Sequence, residues 1–267
     1  MQNKKINVMS LFGGIECGRL ACQRAGFNIG KYYSSEIDKF AIQIAQKNFS
    51  NIIQIGDVKE IDFQKYLGKI DLLMGGSPCQ DLSRAKGNKR QGLNGSHSGL
   101  FWHFAIAKDI LNPKYFLLEN NYGMPQEAKE TISNILGVEP ILINSSLFSA
   151  QNRKRLYWTN IPVDKNIPDK NISLQSILEF GETTRAKSKT VRVGGGGSRW
   201  GDRHEWDRPN PDRVYTTIEL ERLQTLPDDY TAGVCETQRR KCIGNAWTVD
   251  VITYILSFMN FKQQGEM

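Results

Sequence analysis

Two residues that could share one reaction stand directly after predicted strands. Cys79 follows the apolar run Ile70 to Met74 through a short glycine-containing turn, and Glu119 follows the apolar run Tyr115 to Leu118. Because parallel strands end at the same edge of a sheet, we expect the thiol and the carboxyl group to face one crevice. A cysteine nucleophile beside a carboxylic acid suits covalent catalysis on an electron-poor ring.

A second set of residues follows the first three predicted strands and could hold a nucleoside. The strand Ile6 to Leu11 leads into the turn Ser10 to Gly18, whose glycines allow the backbone to approach a ligand closely. Glu36 ends the second strand, where a carboxylate can accept both ribose hydroxyls, and Asp57 ends the third, where it can accept from an adenine amino group. The turn lacks the full G-x-G-x-x-G spacing, which argues against a dinucleotide.

The elements that must position these residues alternate between strand and helix over the first 160 residues or so. This alternation predicts an α/β fold with a mostly parallel, twisted sheet and helices on both faces. Two later runs, 140–144 and 155–159, are predicted to form an antiparallel closing pair. From about Val163 to Pro211 the sequence is rich in Gly, Arg, Ser, Asp and Pro and has few core-forming runs.

The composition is typical of a soluble globular protein with a moderate positive charge. The chain has 35 Lys and Arg against 28 Asp and Glu, a formal net charge of +7. This charge favours a polyanionic partner but also fits a merely basic enzyme. The odd number of cysteines predicts a reducing cytoplasm, and the scattered histidines predict no metal site. We expect neither a membrane span nor a signal peptide.

Eight short motifs occur in order along nearly the whole chain. They are Ser10 to Gly18, Glu36, Gly56-Asp57, Gly76 to Gln80, Leu118 to Asn120, Gln151 to Arg155, Glu221 to Gln224 and Gly244-Asn245. Together they resemble the motifs of the cytosine-C5 DNA methyltransferases, especially the compact phage and DNMT3-like members. Gly13 and Asn121 depart from the residues usual in that family.

The resemblance implies a Rossmann-like methyltransferase fold and transfer of a methyl group to C5 of cytosine in duplex DNA. Residues 1–162, completed by 232–267, would form the catalytic and cofactor-binding domain. Residues 163–231 would form a small, irregular target-recognition region. Among compact relatives, a small recognition region can be compensated by oligomerisation.

S-adenosylmethionine is the cofactor that the resemblance implies, with S-adenosylhomocysteine as the product. Its methionine end would lie against the first turn and its ribose against Glu36, while Ile37 and Val58 would sandwich the adenine. The residues assigned to this site are Phe12, Gly14, Ile15, Glu16, Gly18, Glu36, Ile37, Asp57, Val58, Ser77, Pro78, Leu100, Asn245, Ala246 and Trp247.

The resemblance also implies a transient bond between Cys79 and C6 of the cytosine, which makes C5 nucleophilic. Glu119 would contact the exocyclic amine and protonate N3 as the thiolate adds. Arg153 and Arg155 alternate in an extended segment, so we expect both on one face, holding O2 of the base and nearby anionic groups. The other four cysteines are interpreted as small buried hydrophobes.

The target atom is inaccessible in a stacked duplex, so the cytosine must be rotated out. The basic loop Asp81 to Ser98 is predicted to be a mobile lid that contacts phosphates, with a solvated loop as the alternative. Recognition is expected between Val163 and Pro211, where Gly194 to Ser198 is either a natural glycine turn or an engineered linker. The predicted DNA-binding residues are Ser83, Arg84, Lys86, Arg90, Gln151, Arg192, Trp200 and Arg203.

Three functions are compatible with these motifs. The preferred one is an active DNA methyltransferase of the restriction-modification type, located in the cytoplasm and encoded by a bacterium or a phage. The others are a tRNA methyltransferase of the same fold and a catalytically weak DNA-binding or regulatory homologue. RNA-directed relatives carry a Cys-Phe-Thr tripeptide that this sequence lacks, and regulatory relatives lose the nucleophile or the glutamate, both of which stand here.

Overall fold

The computed structural model describes residues 5–77, 98–193 and 213–261. The strands in these ranges are β1 (Ile6–Leu11), β2 (Ile29–Ser35), β3 (Ile52–Gln54), β4 (Leu72–Gly76), β5 (Tyr115–Asn121), β6 (Ile141–Asn144) and β7 (Lys154–Thr159). The helices are α1 (Cys17–Arg24), α2 (Lys39–Asn48), α3 (Phe101–Leu111), α4 (Gln126–Leu136), α5 (Thr217–Leu223), α6 (Glu236–Asn245) and α7 (Val249–Leu256).

The described strands form one seven-stranded sheet in the order β3-β2-β1-β4-β5-β7-β6. β7 runs antiparallel to both of its neighbours, whereas the other pairs are parallel. The predicted antiparallel closing pair is confirmed as β6 with β7, and β7 also pairs with β5. β2 and β3 lie on one side of β1, and β4 to β7 lie on the other, so the order of the strands reverses direction at β1. A crevice forms beyond the carboxyl ends of the strands at such a switch point.

Both faces of the sheet are covered by helices, as the sequence predicts. Along β1, Ile6 and Val8 join an apolar cluster with residues of α1 and α7. Met9 and Leu11 point the other way and join a second cluster with residues of α3 and α4. This alternation of side chains along one strand places a core on each side of the sheet.

The apolar run from Thr248 to Phe261 predicts a C-terminal helix that returns to the sheet, and the helix that forms is shorter. α7 ends at Leu256, after which the N–H groups of Phe258 and Met259 bond to carbonyls three residues earlier. Such tightening is common in the last turn of a helix. The predicted return of this helix to the sheet is confirmed by its packing against α1.

α5 begins with a capping box, since Thr216 accepts from the N–H of Glu219 and Glu219 accepts from the N–H of Thr216. The sequence pattern predicts a helix from Tyr215 to Leu226, but α5 ends at Leu223, because Thr225 adopts a left-handed φ of 55°. Its apolar residues pack with Leu174, Ile177 and Ile243 in a third, smaller cluster. No helix among the described residues is long and apolar enough to cross a membrane.

Candidate active site

A cleft of about 1130 Å³ lies at the carboxyl ends of β1, β2, β4 and β5. It brings together most of the predicted site residues that the structure describes. These are Phe12, Gly14, Ile15, Glu36, Ile37, Asp57, Val58, Ser77, Leu100, Glu119, Arg153, Arg155, Arg192, Asn245, Ala246 and Trp247. The predicted site residues that lie outside the described ranges are Pro78, Cys79, Ser83, Arg84, Lys86, Arg90, Trp200 and Arg203.

The turn between β1 and α1 is held in an unusual backbone conformation. Phe12, Gly14 and Glu16 have φ values of 59°, 56° and 61°, and for two non-glycine residues this left-handed region is costly. The turn is fastened to the end of β2, because Glu36 Oε2 accepts from the N–H of Gly14 at 2.7 Å. A strained turn maintained by a neighbouring carboxylate is typical of a ligand-binding site.

The carboxylate of Glu36 is largely engaged by the backbone. Besides Gly14, it accepts through Oε1 from the N–H groups of Ile37 and Asp38, both at 2.8 Å. A carboxylate offers about four acceptor positions, so about one remains for a ligand hydroxyl. The assignment of both ribose hydroxyls to Glu36 stays a prediction.

An apolar slot lies next to Glu36. The side chain of Ile37 is 73% exposed although it lines a cleft, and Val58 lies buried on the same cleft. Asp57 precedes Val58 and uses Oδ1 to accept from the N–H of Lys59. An exposed isoleucine in a concave site suits a flat apolar ligand group that covers it.

Two residues assigned to the cofactor from the sequence lie beneath the cleft instead. Glu16 is 0% exposed and accepts from the hydroxyl of Tyr32 at 2.6 Å, because the left-handed turn directs its side chain into the core. Burial raises the pKa of Glu16 to about 7, while hydrogen bonds such as that from Tyr32 oppose the rise. A Cβ on Gly18 would come within 2.8 Å of Met74 Cε, so Gly18 allows close packing and is not a cleft residue.

Glu119 lines the cleft and is held through both carboxylate oxygens. Arg155 Nε lies 2.9 Å from Oε1, and Trp247 Nε1 donates to Oε2 at 3.0 Å. The side chains of Glu119 and Arg155 are only 12% and 15% exposed. Pairing of β5 with β7 places Arg155 opposite Asn121, two residues beyond Glu119. The result is a well-positioned acid beside a permanent cation.

The end of β4 is tied to the end of β5 at this point. Gly76 lies opposite Glu119 in the sheet, and Asn120 Nδ2 donates to Ser77 Oγ at 2.9 Å. Ser77 lines the cleft and is the last described residue before the segment that contains Cys79. The chain therefore enters that segment from within the cleft.

Arg153 and Arg155 both line the cleft, as expected, but their guanidinium groups have different partners. Arg153 precedes β7, is 5% exposed and donates to the carbonyls of Val191, Gly244 and Ala246 at 2.8, 3.3 and 3.0 Å. Buried carbonyls need donors, and this cation satisfies three of them. Arg153 therefore holds two segments of the cleft wall together, whereas Arg155 contacts the acid.

Gln151 was predicted to contact DNA, but the structure places it in the interior. It is 0% exposed, donates to the carbonyl of Leu223 at 2.9 Å and accepts from the N–H of Val191 at 2.8 Å. A buried amide is retained only when its polar atoms are paired in this way. Gln151 therefore joins α5 to the segment after residue 188.

Sequence reasoning missed several residues that line the outer part of the cleft. Lys154 is exposed, and its Nζ lies 5.7 Å from the centre of the Tyr122 ring, which is 46% exposed. The other members of this set are Asn121, Asn144, Asn152, Thr190 and Val193. A signal was present, since Lys154 lies between the two arginines of its motif and Tyr122 lies three residues after Glu119.

Two cysteines of the described ranges, Cys17 and Cys242, also line the cleft. Burial raises the pKa of each to about 12, and it does the same for Cys22 in the core. Thiols of this kind stay protonated and inert, as expected for small buried hydrophobes. Cys235 is exposed instead and does not line the cleft.

Comparison with known sequences points to one family. The family described as C-5 cytosine-specific DNA methylase matches residues 6–189 and 179–260. The orphan methyltransferase M.SPRI of Bacillus phage SPR is 35% identical over 60% of this chain, a match that spans only 38% of the phage protein. The Type II methyltransferase M.Eco47II of Escherichia coli is 26% identical over 94% of this chain and 78% of its own length.

Comparison with solved structures supports the fold. The methyltransferase EhMeth of Entamoeba histolytica superimposes with a TM-score of 0.77 at 17% identity, over 96% of this chain and 98% of that one. DNMT2 of Spodoptera frugiperda gives a TM-score of 0.70 at 17% identity, over 95% and 99% of the two chains. The predicted Rossmann-like methyltransferase fold is thereby confirmed.

Proposed function

The chain belongs to the C-5 cytosine-specific DNA methylase family, and we propose that it transfers a methyl group from S-adenosylmethionine to C5 of cytosine in duplex DNA. The proposal rests on one arrangement above all. The carboxyl group of Glu119, fixed between Arg155 and Trp247, stands in the same cleft as the slot formed by Glu36 and Ile37. An acid and a nucleoside slot in one cleft suit group transfer to a base.

One half of the cleft, formed by Phe12, Gly14, Glu36, Ile37 and Val58, is called the cofactor half. The chemistry of its residues fits S-adenosylmethionine. The strained turn at Phe12 and Gly14 offers backbone groups to the methionine end, and Glu36 offers an acceptor to the ribose. Ile37, exposed in the cleft, gives one apolar face for the adenine, and Val58 gives the other. When bound, this group supplies an electrophilic methyl group. The protein residues orient it and exclude water around it.

Cys79 is the nucleophile of the proposed reaction. Two residues of extended chain span at most about 7 Å, so a residue two positions after Ser77 stays within reach of the cleft. The described cysteines that line the cleft are disqualified by their raised pKa values. The thiolate bonds to C6 while N3 takes a proton from Glu119. After C5 has received the methyl group, its proton passes to water and the C5–C6 double bond re-forms. Sulfur then leaves C6 as the Cys79 thiolate, and N3 returns its proton to Glu119.

Duplex DNA is the proposed substrate, with the target cytosine rotated into the cleft. Lys154, Arg155 and Arg192 line the cleft, where a phosphate backbone and a displaced base would meet them. A net charge of +7 supports a polyanionic partner. The loop from Asp81 to Ser98, interpreted from the sequence as a lid, lies outside the described residues up to residue 97. Residues 163–231 as the recognition region remain part of this proposal.

Incubation with tritiated S-adenosylmethionine tests the substrate. We expect label in duplex DNA and none in tRNA, with the label located at C5 of cytosine after digestion to nucleosides. Label only in tRNA, or in neither nucleic acid, would contradict the proposal. Sequencing of methylated cytosines after expression in a methylation-free host then identifies the target site.

Trapping on DNA that contains 5-fluorocytosine tests the nucleophile, since fluorine at C5 prevents release of the covalent adduct. Cys79→Ser should abolish the trapped complex, while affinity for S-adenosylhomocysteine stays nearly unchanged. Cys235→Ser, at an exposed cysteine outside the cleft, is the matched control and should trap normally. A covalent complex that persists in Cys79→Ser would show that the nucleophile is another residue.

A further inference from the structure

The indole of Trp247 contacts the proposed catalytic acid and not only the cofactor half of the cleft. We infer that Trp247 is a positioning residue for Glu119, and this inference rests on the proposed function. Its Nε1 donates to Glu119 Oε2 at 3.0 Å, while Arg155 Nε lies 2.9 Å from Oε1. Neither the motifs nor the sequence analysis assigned Trp247 a role towards the acid.

Two donors on different oxygens fix the plane of a carboxyl group. A single contact from Arg155 to Oε1 restrains rotation about the terminal bond only weakly, because it tolerates a range of angles and leaves the position of Oε2 undetermined. The Trp247 N–H removes that freedom. The indole is a rigid donor with no acceptor capacity, so it cannot take the proton that the acid must deliver. The side chain of Glu119 is only 12% exposed, which limits water as a substitute donor.

The position of the indole is set by close packing with two glycines. A Cβ on Gly76 would come within 2.8 Å of Trp247 Nε1 and 3.2 Å of Glu119 Oε2. A Cβ on Gly18 would come within 3.4 Å of Trp247 Cζ3. The ring thus lies between the first turn of α1 and the end of β4. Trp247 itself is anchored because it stands just before α7, which packs on α1.

Trp247→Phe tests this role because it keeps an aromatic wall and deletes the N–H. We expect the single-turnover methylation rate to fall by roughly 10- to 100-fold, a part of what a general acid contributes. Affinity for S-adenosylhomocysteine by calorimetry and KM for DNA should each stay within about threefold. A loss confined to cofactor affinity would overturn the inference, because Trp247 would then be only a wall of the cofactor site.

A double-mutant cycle separates action through Glu119 from a general structural effect. In a Glu119→Gln background, Trp247→Phe should cost little further rate, because the group that it positions is already altered. An equal loss in both backgrounds would contradict the inference. Gly76→Ala offers a second variant, since its Cβ displaces the indole while Trp247 is retained, and it should also slow methyl transfer.

One readout does not depend on activity and so separates this inference from the proposed function. The indole N–H resonance of Trp247, assigned by its loss in Trp247→Phe, should shift on Glu119→Gln because the acceptor loses its charge. An unchanged resonance would refute the contact even in an active enzyme. A shifted resonance in a protein that labels no nucleic acid would leave the contact intact and refute the proposed function alone.

Discussion

The two halves of the cleft differ in how far apart along the sequence their interacting residues lie. In the cofactor half, Glu36 bonds to Gly14, 22 residues away, and both follow strands of one β-α-β unit. In the catalytic half, Glu119 bonds to Trp247, 128 residues away, and Arg153 bonds to Ala246, 93 residues away. The first half forms within the N-terminal elements, whereas the second requires the C-terminal segment to return.

The two halves also differ in what their charged groups bind. Glu36 accepts from three backbone N–H groups and shapes a turn. Glu119 accepts from two side chains, and Arg153 donates to three carbonyls that belong to other segments. We therefore expect substitutions in the cofactor half to change mainly affinity. Substitutions in the catalytic half should change reaction rate or folding stability.

The largest expected effect is on the reaction rate and comes from Arg155→Ala. Loss of one donor to Glu119, the proposed catalytic acid, should lower kcat by about 10²- to 10³-fold, the scale for removing one preorganised donor. Lys154→Ala, at the neighbouring exposed cation, is the matched control. It should leave kcat nearly unchanged and reduce the salt dependence of DNA binding by about one phosphate contact. Similar kcat losses in both variants would contradict the different roles assigned to Arg155 and Lys154.

Arg153→Ala should instead lower folding stability, because the interior carbonyls of Val191 and Gly244 lose this donor and that of Ala246 keeps only Gln224 Nε2. We expect a loss of about 3 kcal/mol in the free energy of unfolding, measured by urea denaturation. Arg153→Lys, which can satisfy fewer carbonyls, should give an intermediate value. If Arg153→Ala unfolds like the wild type but fails to methylate DNA, the original assignment of Arg153 to the base is restored.

The raised pKa of Glu16 predicts that the folding stability of the protein depends on pH. Its pKa of about 7 in the folded state exceeds the ordinary value of 4.5, so between these pH values only the folded state holds the proton. Stability therefore falls as the pH rises through this window, by on the order of 3 kcal/mol, and is constant above it.

Glu16→Gln cannot ionise and should escape this loss. Its stability relative to the wild type should increase from pH 4.5 to 7 and then level off. Glu60→Gln, at an exposed acid, is the control and should show no such trend. Denaturation curves at several pH values provide the measurement, and a difference that does not vary with pH would contradict the burial of a protonated Glu16.

The smallest expected effect is on affinity and comes from Glu36→Ala. The substitution removes one hydrogen bond to the ligand and the hydrogen bond that Glu36 accepts from the N–H of Gly14. Binding of S-adenosylhomocysteine should therefore weaken by about 1–3 kcal/mol. The rate at saturating cofactor should be nearly normal, unlike that of Arg155→Ala. Calorimetry measures the affinity, and an unchanged value would refute the ribose role.

The sequence predicted the strand ends well because each is marked locally by an apolar run followed by a turn or an acid. Glu36, Asp57 and Glu119 lie on the cleft for this reason. Glu16 and Gln151 also belong to the sequence motifs, yet their side chains are buried in the interior. Nothing in a one-dimensional pattern distinguishes a polar residue that faces a cleft from one that satisfies buried groups.

By itself, the sequence determined the α/β class, the order of its elements and the edge of the sheet where chemistry can occur. These follow from periodicity and from the rule that parallel strands end together. Only the tertiary structure decided the partners of three side chains. Arg153 donates to backbone carbonyls, Arg155 pairs with Oε1 of Glu119, and Trp247 donates to Oε2 of Glu119. Such partners are distant along the chain, and hydrogen-bond geometry over a few ångströms is settled only when the segments pack.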